Sequence, residues 1–415
     1  MATPLTSVAL ISEIQPDTLA SLPETDNVRY LPIEVAQTIA QSTTTNSKYN
    51  IGDMDPFDYY GELSFIAPRI PNGPWNCLFG NANGALIVSS NLTEEKQDVR
   101  IVDQPFKYGE GMEFTDGIYW QLYARDYWSW IPEIYYVQTD SGELLAIASL
   151  IKYEFRFPVF VPYWGGVFVT HSDGRIEKLD PDEAVSDPRF KNQRLYPEAL
   201  ARWIGESWQY QNGIWNAWFT HNDQAELNDP DDAENRMPYL LPTDKGVVWF
   251  NGFKPHGNAQ SIYKIQFIDA RTGAVSMYDI PADDNWIGPN KAIQFVKTAF
   301  PTLEWAENIK AIEPRPIVHQ GRLYWQVSIT NSQFAGLAKT ALVNSETQQV
   351  TSFESLKGLN EFLKGKISTA VVAPAISAAA GSVTVVFNLT SMADDQLWAQ
   401  LRDITNELQR RGRRS

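Results

Sequence analysis

Phe267-Ile-Asp-Ala-Arg-Thr-Gly-Ala-Val275 is the stretch on which the reading of the fold turns. An apolar run stops at Asp269, a polar turn carries Thr272-Gly273, and apolar residues resume at Ala274 and Val275. Glycine supplies the positive φ that a tight antiparallel turn requires, so the segment predicts a β-hairpin. Related hairpins are expected elsewhere. Ile134-Tyr-Tyr-Val137 leads through Asp140-Ser-Gly142 to Glu-Leu-Leu145, and Ala341-Leu-Val343 leads through Glu346-Thr-Gln-Gln to Val350, with Gln348 in the place of the turn glycine. Val167-Phe-Val169 followed by Asp173-Gly174-Arg-Ile176 has the same turn chemistry.

Each of the first three hairpins follows a glycine-led segment bearing tryptophan. These are Gly117-Ile-Tyr-Trp120, Gly246-Val-Val-Trp249 and Gly321-Arg-Leu-Tyr-Trp325, all expected as strands. The turn positions Gly142, Gly273 and Gln348 lie 22, 24 and 23 residues beyond their tryptophans, and recurrence of both chemistry and spacing predicts a repeated unit. Helical periodicity precedes two of the copies. Residues 197–209 place Leu200, Trp203, Ile204 and Trp208 on one face, and residues 290–300 place Ile293, Val296 and Phe300 at helical spacing before Pro301.

A helix, a Trp strand and this hairpin in succession resemble the PepSY and cystatin-like family. The resemblance covers about 197–278 and 290–353, with a partial copy lacking its helix before Leu150. It implies one helix laid across a curled antiparallel sheet, and a mostly non-catalytic role beside envelope proteins or peptidases.

The expected fold class is therefore α+β, with repeated helix-plus-antiparallel-sheet modules. The expected organisation is an N-terminal arm (1–55), a β-rich domain with a partial repeat (56–190), two α+β modules (191–286 and 287–365), and a linker, strand and C-terminal amphipathic helix (366–415). Residues 33–41 predict a helix through Ile33, Val35, Ile39 and Ala40; the rest of the arm reads as extended. Residues 391–411 predict the terminal helix, with Ser391 as N-cap, Asp394 and Asp395 in the first turn, and Leu397, Leu401, Ile404 and Leu408 in one stripe beside Trp398. Each such side chain is worth roughly 1.5–3 kcal/mol when buried, so this stripe is expected to dock, and a partner subunit is the expected surface.

Composition narrows the function classes. The chain has 415 residues, 43% hydrophobic and 20% charged, as folded proteins do. Its net charge of −16 repels phosphate backbones, so nucleic acid is not an expected partner, and Arg410, Arg411, Arg413 and Arg414 read as a solvated helix end. Cys77 is the only cysteine, which excludes an internal disulfide and a cysteine zinc site. No run of about 18 apolar residues predicts a transmembrane segment, and residues 1–14 lack the basic start of a secretory signal. Cytoplasmic synthesis is expected, with incorporation into a virion or similar assembly. Asn91-Leu-Thr93 and Asn388-Leu-Thr390 are then chance matches to the glycosylation pattern.

Catalytic motifs are missing. His171, His221, His256 and His319 are far apart in sequence, and no nucleophile elbow, Walker loop or dinucleotide fingerprint occurs. Neither an enzyme nor a cofactor or metal is expected. His171 lies on a hairpin turn and is expected at the surface; the acidic run of residues 229–235 is expected as a solvated loop, since it lacks calcium-loop spacing. The densest aromatic stretch holds Tyr119, Trp120, Tyr123, Tyr127, Trp128, Trp130, Tyr135 and Tyr136. Core packing is one use for these rings. Exposed, they would form a contact surface, with Trp128 and Trp130 as its anchors beside the terminal stripe. Glu110, Glu113, Asp116, Asp126 and Glu133 nearby are numerous enough to supply the two carboxylates of a glycosidase. Three functions follow, in this order: a structural subunit of a large assembly (phage virion, tail-like or envelope-associated), a PepSY-like module binding a peptidase or other protein, and a carbohydrate-binding protein or glycosidase.

Overall fold

The computed structural model describes residues 3–26, 28–44, 46–59, 62–90, 99–231, 236–305, 308–331, 333, 337–364 and 371–373. The helix expected over 391–411, with Leu397, Trp398, Leu401, Ile404 and Leu408, lies outside these residues, as does 232–235 of the acidic run.

The fold is α+β, built of helices and largely antiparallel sheets. Helix α1 (Pro4–Ile11) begins behind Thr3, whose hydroxyl accepts from the Thr6 N–H, with proline in the first turn. This helix replaces the extended backbone expected here, and Thr3-Pro4 is its start signal. Residues that follow do run extended, and they strap the chain to itself. Asp17–Thr18 pairs in parallel with Val275–Asp279, Thr25 bridges Thr243, and the Glu24 carboxylate accepts from the backbone of Gln320 and Gly321.

Helix α2 (Ile33–Thr43) buries Val35, Ala36, Ile39 and Ala40 against the first sheet. That sheet centres on Glu62–Pro71, paired to Tyr49–Ile51, Asp55–Tyr59 and Ala82–Ser89, with Val99–Phe106 at its edge. The short helix α3 (Pro74–Phe79) interrupts it. Helix α4 (Ile118–Arg125) precedes the second sheet, a meander of Ile134–Gln138, Leu144–Arg156, Val159–Thr170 and Ile176–Leu179. The expected strand at 117–123 is thus a helix. Ile118 and Leu122 are the residues α4 buries, four apart, and that spacing is the helical period rather than the alternation of a strand.

Helix α5 (Pro181–Ser186) and then α6 (Glu198–Ser207) lead to the third sheet. Between them and it lies α7 (Gly213–Trp215), continued by a π-helical turn over Asn216–Thr220. The meander is Tyr239–Thr243, Gly246–Pro255, Lys264–Asp269 and Val275–Asp279. Helix α8 (Pro289–Ala299) leads to the fourth, Ile309–His319, Arg322–Asn331, Leu337–Asn344 and Val350–Phe353, which α9 (Leu356–Leu363) closes.

Neighbouring sheets share cores. Ile66 and Ile87 of the first sheet pack with Tyr136 and Phe168 of the second. Ile147 and Val169 of the second meet Trp249 and Ile268 of the third, with Leu200 and Ile204 of α6 between. Phe250 and Phe267 of the third meet Trp325 and Val343 of the fourth, with Ala292 and Val296 of α8. Trp249 and Phe250 are adjacent on one strand and therefore point to opposite faces, one into each core. A strand covered on both sides reads as a continuous apolar run, which is what Gly246-Val-Val-Trp-Phe250 shows.

The third and fourth meanders share several local features, although the fourth carries register shifts between Ile312 and Arg315 and between Ile329 and Thr330. Trp249 stands opposite Leu240 and Ile268, and Trp325 opposite Pro316 and Val343. The Trp249 indole donates to the Tyr196 carbonyl at 3.1 Å and that of Trp325 to the Ile287 carbonyl at 2.8 Å, in both cases two residues before the helix. In one turn Asp269 Oδ1 accepts from the N–H groups of Arg271 and Thr272; in the other Asn344 Oδ1 accepts from Glu346 and Thr347. Gly273 at φ 79° lies against the Tyr196 ring, where a Cβ would come within 2.3 Å. Gln348 takes φ 62° in the same position without glycine's freedom.

Candidate interaction surface and acidic cavity

Large apolar side chains stand in water along one part of the chain. On α3, Trp75 and Phe79 are four residues apart and stack at 5.7 Å, yet each remains more than 70% exposed. Trp120 of α4 points outward because Ile118 and Leu122 hold the other face. After α4 the chain turns through Tyr127 and Trp128, and Trp128 is 85% exposed. Trp130 exchanges both backbone hydrogen bonds with Ile151, which fixes its ring beside the second sheet at 40% exposure.

The long hairpin of the second sheet has two halves. Residues 144–151 are buried, whereas Tyr153, Phe155, Phe157, Phe160 and Tyr163 near the tip are exposed. Phe155 and Phe160 pair across the strands at 5.2 Å, and Arg156 forms an ion pair with Glu13 just beyond α1. On α7 and its π-helical turn, Trp215, Trp218 and Phe219 are exposed, Trp215 and Phe219 with ring centroids 4.4 Å apart. Among the described residues, every exposed large hydrophobic side chain falls within 5–219.

The densest aromatic stretch is therefore divided. Tyr135 and Tyr136 are core residues, while Trp120, Tyr127, Trp128 and Trp130 are not. His171 corrects another expectation, since it is buried at 3% exposure with Nδ1 2.7 Å from Glu143 and Nε2 3.3 Å from Glu177. The turn that carries it is covered by the neighbouring hairpin turn, to which Glu143 belongs, an arrangement set by tertiary packing.

Sequence reasoning missed two charged features of the fold. Arg194, on the loop before α6, is buried and reaches Asp55 at 2.6 Å, Glu133 at 3.4 Å and Glu198 at 3.7 Å. Its guanidinium lies 4.6 Å from the centre of the Tyr135 ring. Burial alone would lower the guanidinium, but Glu133, Asp55 and Glu198 outweigh it and hold the group above its ordinary range. Burial pushes Asp55 up to about 7, opposed by Arg194 and reinforced by Glu133. One cation thus joins the first sheet, the second sheet and α6. Asp55 and Arg194 are separated by 139 residues, so only the folded chain reveals the pairing.

The second feature is the loop from Gly109 to Trp120. Gly109 donates to Asp116, Ile118 donates back to Gly109, and Glu113 donates to Cys77 of α3. The closed loop surrounds a cavity of about 390 Å³ with Met112 and Ile118 at its buried side, Phe114, Tyr119 and Trp120 as exposed rings, and the half-buried Glu110. Burial and the charges of Asp55 and Asp53 push Glu110 up to about 8, against a hydrogen bond with Tyr136. Burial, then Glu110, raises Tyr119 to about 12. Of the carboxylates named as glycosidase candidates, Glu133 joins Arg194, Asp126 pairs with Lys152 and Lys178, and Glu110 and Glu133 both act on the Tyr119 hydroxyl.

Among the described residues no group of three His, Cys, Asp or Glu is placed to hold a metal, and no helix is long and apolar enough to cross a membrane. No family model, curated protein or solved structure matches the chain.

Proposed function

We propose that this chain is a non-enzymatic interaction protein, a subunit of a larger assembly such as a phage virion, a tail-like apparatus or an envelope-associated complex. The observation that carries the reading is the confinement of exposed rings to one part of the chain. Isolated apolar side chains on a surface need no explanation, but a population that includes Trp75, Trp128, Phe157 and Trp215 does. Tryptophan, tyrosine and phenylalanine bury large areas at small entropic cost and are enriched at protein contacts. Rings held on hydrogen-bonded turns and short helices are pre-ordered for contact, which lowers the entropy lost on binding. Trp128 and Trp130 are two of the anchors in this reading, and the partner is protein.

The equivalent registers, turns and indole bonds of the third and fourth meanders support reading them as copies of one PepSY- or cystatin-like module. In that reading the modules form the scaffold and the aromatic surface makes the contacts. Light scattering on the purified chain, against the mass of the same chain in native extract, tests the proposal. A species well above 46.9 kDa in extract is expected. Replacing Trp128, Phe155, Phe157 and Trp218 by serine should return it to the monomer mass with an unchanged melting temperature. A monomer in extract at every concentration overturns the reading.

A further inference from the structure

The Gly109–Trp120 cavity combines three features that together define a ligand chemistry. Its rim is aromatic, with Phe114 at φ 51°, a left-handed backbone conformation that a bulky residue rarely takes and that sets its ring 75% exposed beside Tyr119 and Trp120. Its carboxyl side chain is Glu110. The charged groups acting on Glu110 are Asp55 and Asp53, both acids, and the remaining neighbours in its field are the hydroxyls of Tyr136 and Tyr119. Arg194, which pairs with Asp55, is also engaged by Glu133 and Glu198. The surroundings of Glu110 therefore carry an excess of negative charge.

Aromatic faces present the negative side of their quadrupole to a bound group, and a carboxylate adds to that field. A neutral apolar ligand would use the rings but leave the acidic field unanswered. A phosphate or carboxylate ligand would be repelled. We infer that the cavity binds a small organic cation of the substituted-ammonium class, held by Phe114, Tyr119 and Trp120 with Glu110 as its counter-charge. The site goes beyond the assembly reading and does not depend on it. A bound cation favours the ionised form of Glu110, so binding releases a proton and strengthens as pH rises through about 8.

The test is calorimetric titration of the full chain with choline and with 3,3-dimethylbutan-1-ol, which has the same shape and no charge. Choline is expected to bind one per chain and to quench tryptophan fluorescence, with the alcohol weaker by about tenfold. Glu110→Gln should weaken choline by about fivefold or more and leave the alcohol unchanged. Trp120→Ala, at an exposed position, should weaken choline with no change in melting temperature. Equal affinity for the two ligands, absence of binding at millimolar choline, wild-type affinity in Glu110→Gln, or binding of methyl glucoside in place of choline would each overturn the assignment.

Discussion

Trp128 and Trp325 are the same residue type in the same chain, one 85% exposed and the other fully buried. The contrast extends to the regions around them. Residues 62–219 carry exposed rings on short helices, loops and a hairpin tip, whereas the described part of 236–364 leaves no large apolar side chain exposed. In the second region Trp249 and Trp325 sit on strands covered by neighbouring sheets, and their indole N–H groups reach backbone carbonyls, whereas the buried indole N–H of Trp286 finds no partner. Aromatic content is therefore no guide to whether a segment is core or contact surface. Backbone context decides it, through what covers the second face.

The largest effect should come from breaking that contrast directly. Trp325→Ala removes a fully buried ring and leaves the Ile287 carbonyl with the Ser345 hydroxyl as its side-chain donor, so thermal and denaturant unfolding should show a loss of about 3–5 kcal/mol. Trp128→Ala should stay within about 0.5 kcal/mol of the parent. Similar losses at both positions would mean that the exposed rings support the fold.

Arg194→Met probes the rivet beside the aromatic region. It leaves Asp55 and Glu133 without their cation and should cost about 3 kcal/mol at neutral pH. Asp55→Asn in the same chain should recover part of the loss, and failure to do so would show that the guanidinium matters through packing on Tyr135.

A smaller effect concerns pH. Glu110 is raised from 4.5 to about 8, so between those values the folded chain holds a proton that the unfolded chain has released. Its contribution is fully present below about 4.5 and is lost as pH rises toward 8. Asp55, raised to about 7, acts in the same direction. Glu110→Gln should flatten the fall in melting temperature across that window; an unchanged slope would remove Glu110 as its source.

The smallest change sits in the sealed region. Gln348→Gly relieves a positive φ at the turn, offset by the greater freedom of glycine in the unfolded chain. A net gain of at most about 1 kcal/mol is expected from the midpoint of urea unfolding. A loss would show that the Gln348 side chain contributes to the turn.

Much of the α+β architecture was legible because its signals are local. Thr272-Gly273, the stripe of α6 and the stripe of α8 each carry their own geometry. Residues 117–123 misled because glycine followed by aromatic residues suits strand and helix alike, and only the Ile118–Leu122 pairing on α4 separates them. Arg194 and the burial of His171 were not legible, since both depend on contacts between distant segments. Which aromatic rings remain uncovered is also a tertiary outcome. Tyr136 and Trp130 lie six residues apart on opposite sides of that division.

The central claim is that the exposed rings of the first region meet a protein partner. Photo-cross-linking tests it most directly, with benzoylphenylalanine placed at Trp128 and Phe157, and at the exposed Lys297 and Arg322 of the second region. In native extract, discrete cross-linked bands are predicted from Trp128 and Phe157 and none from Lys297 or Arg322. Equal cross-linking from both regions, or none from either, would contradict the account.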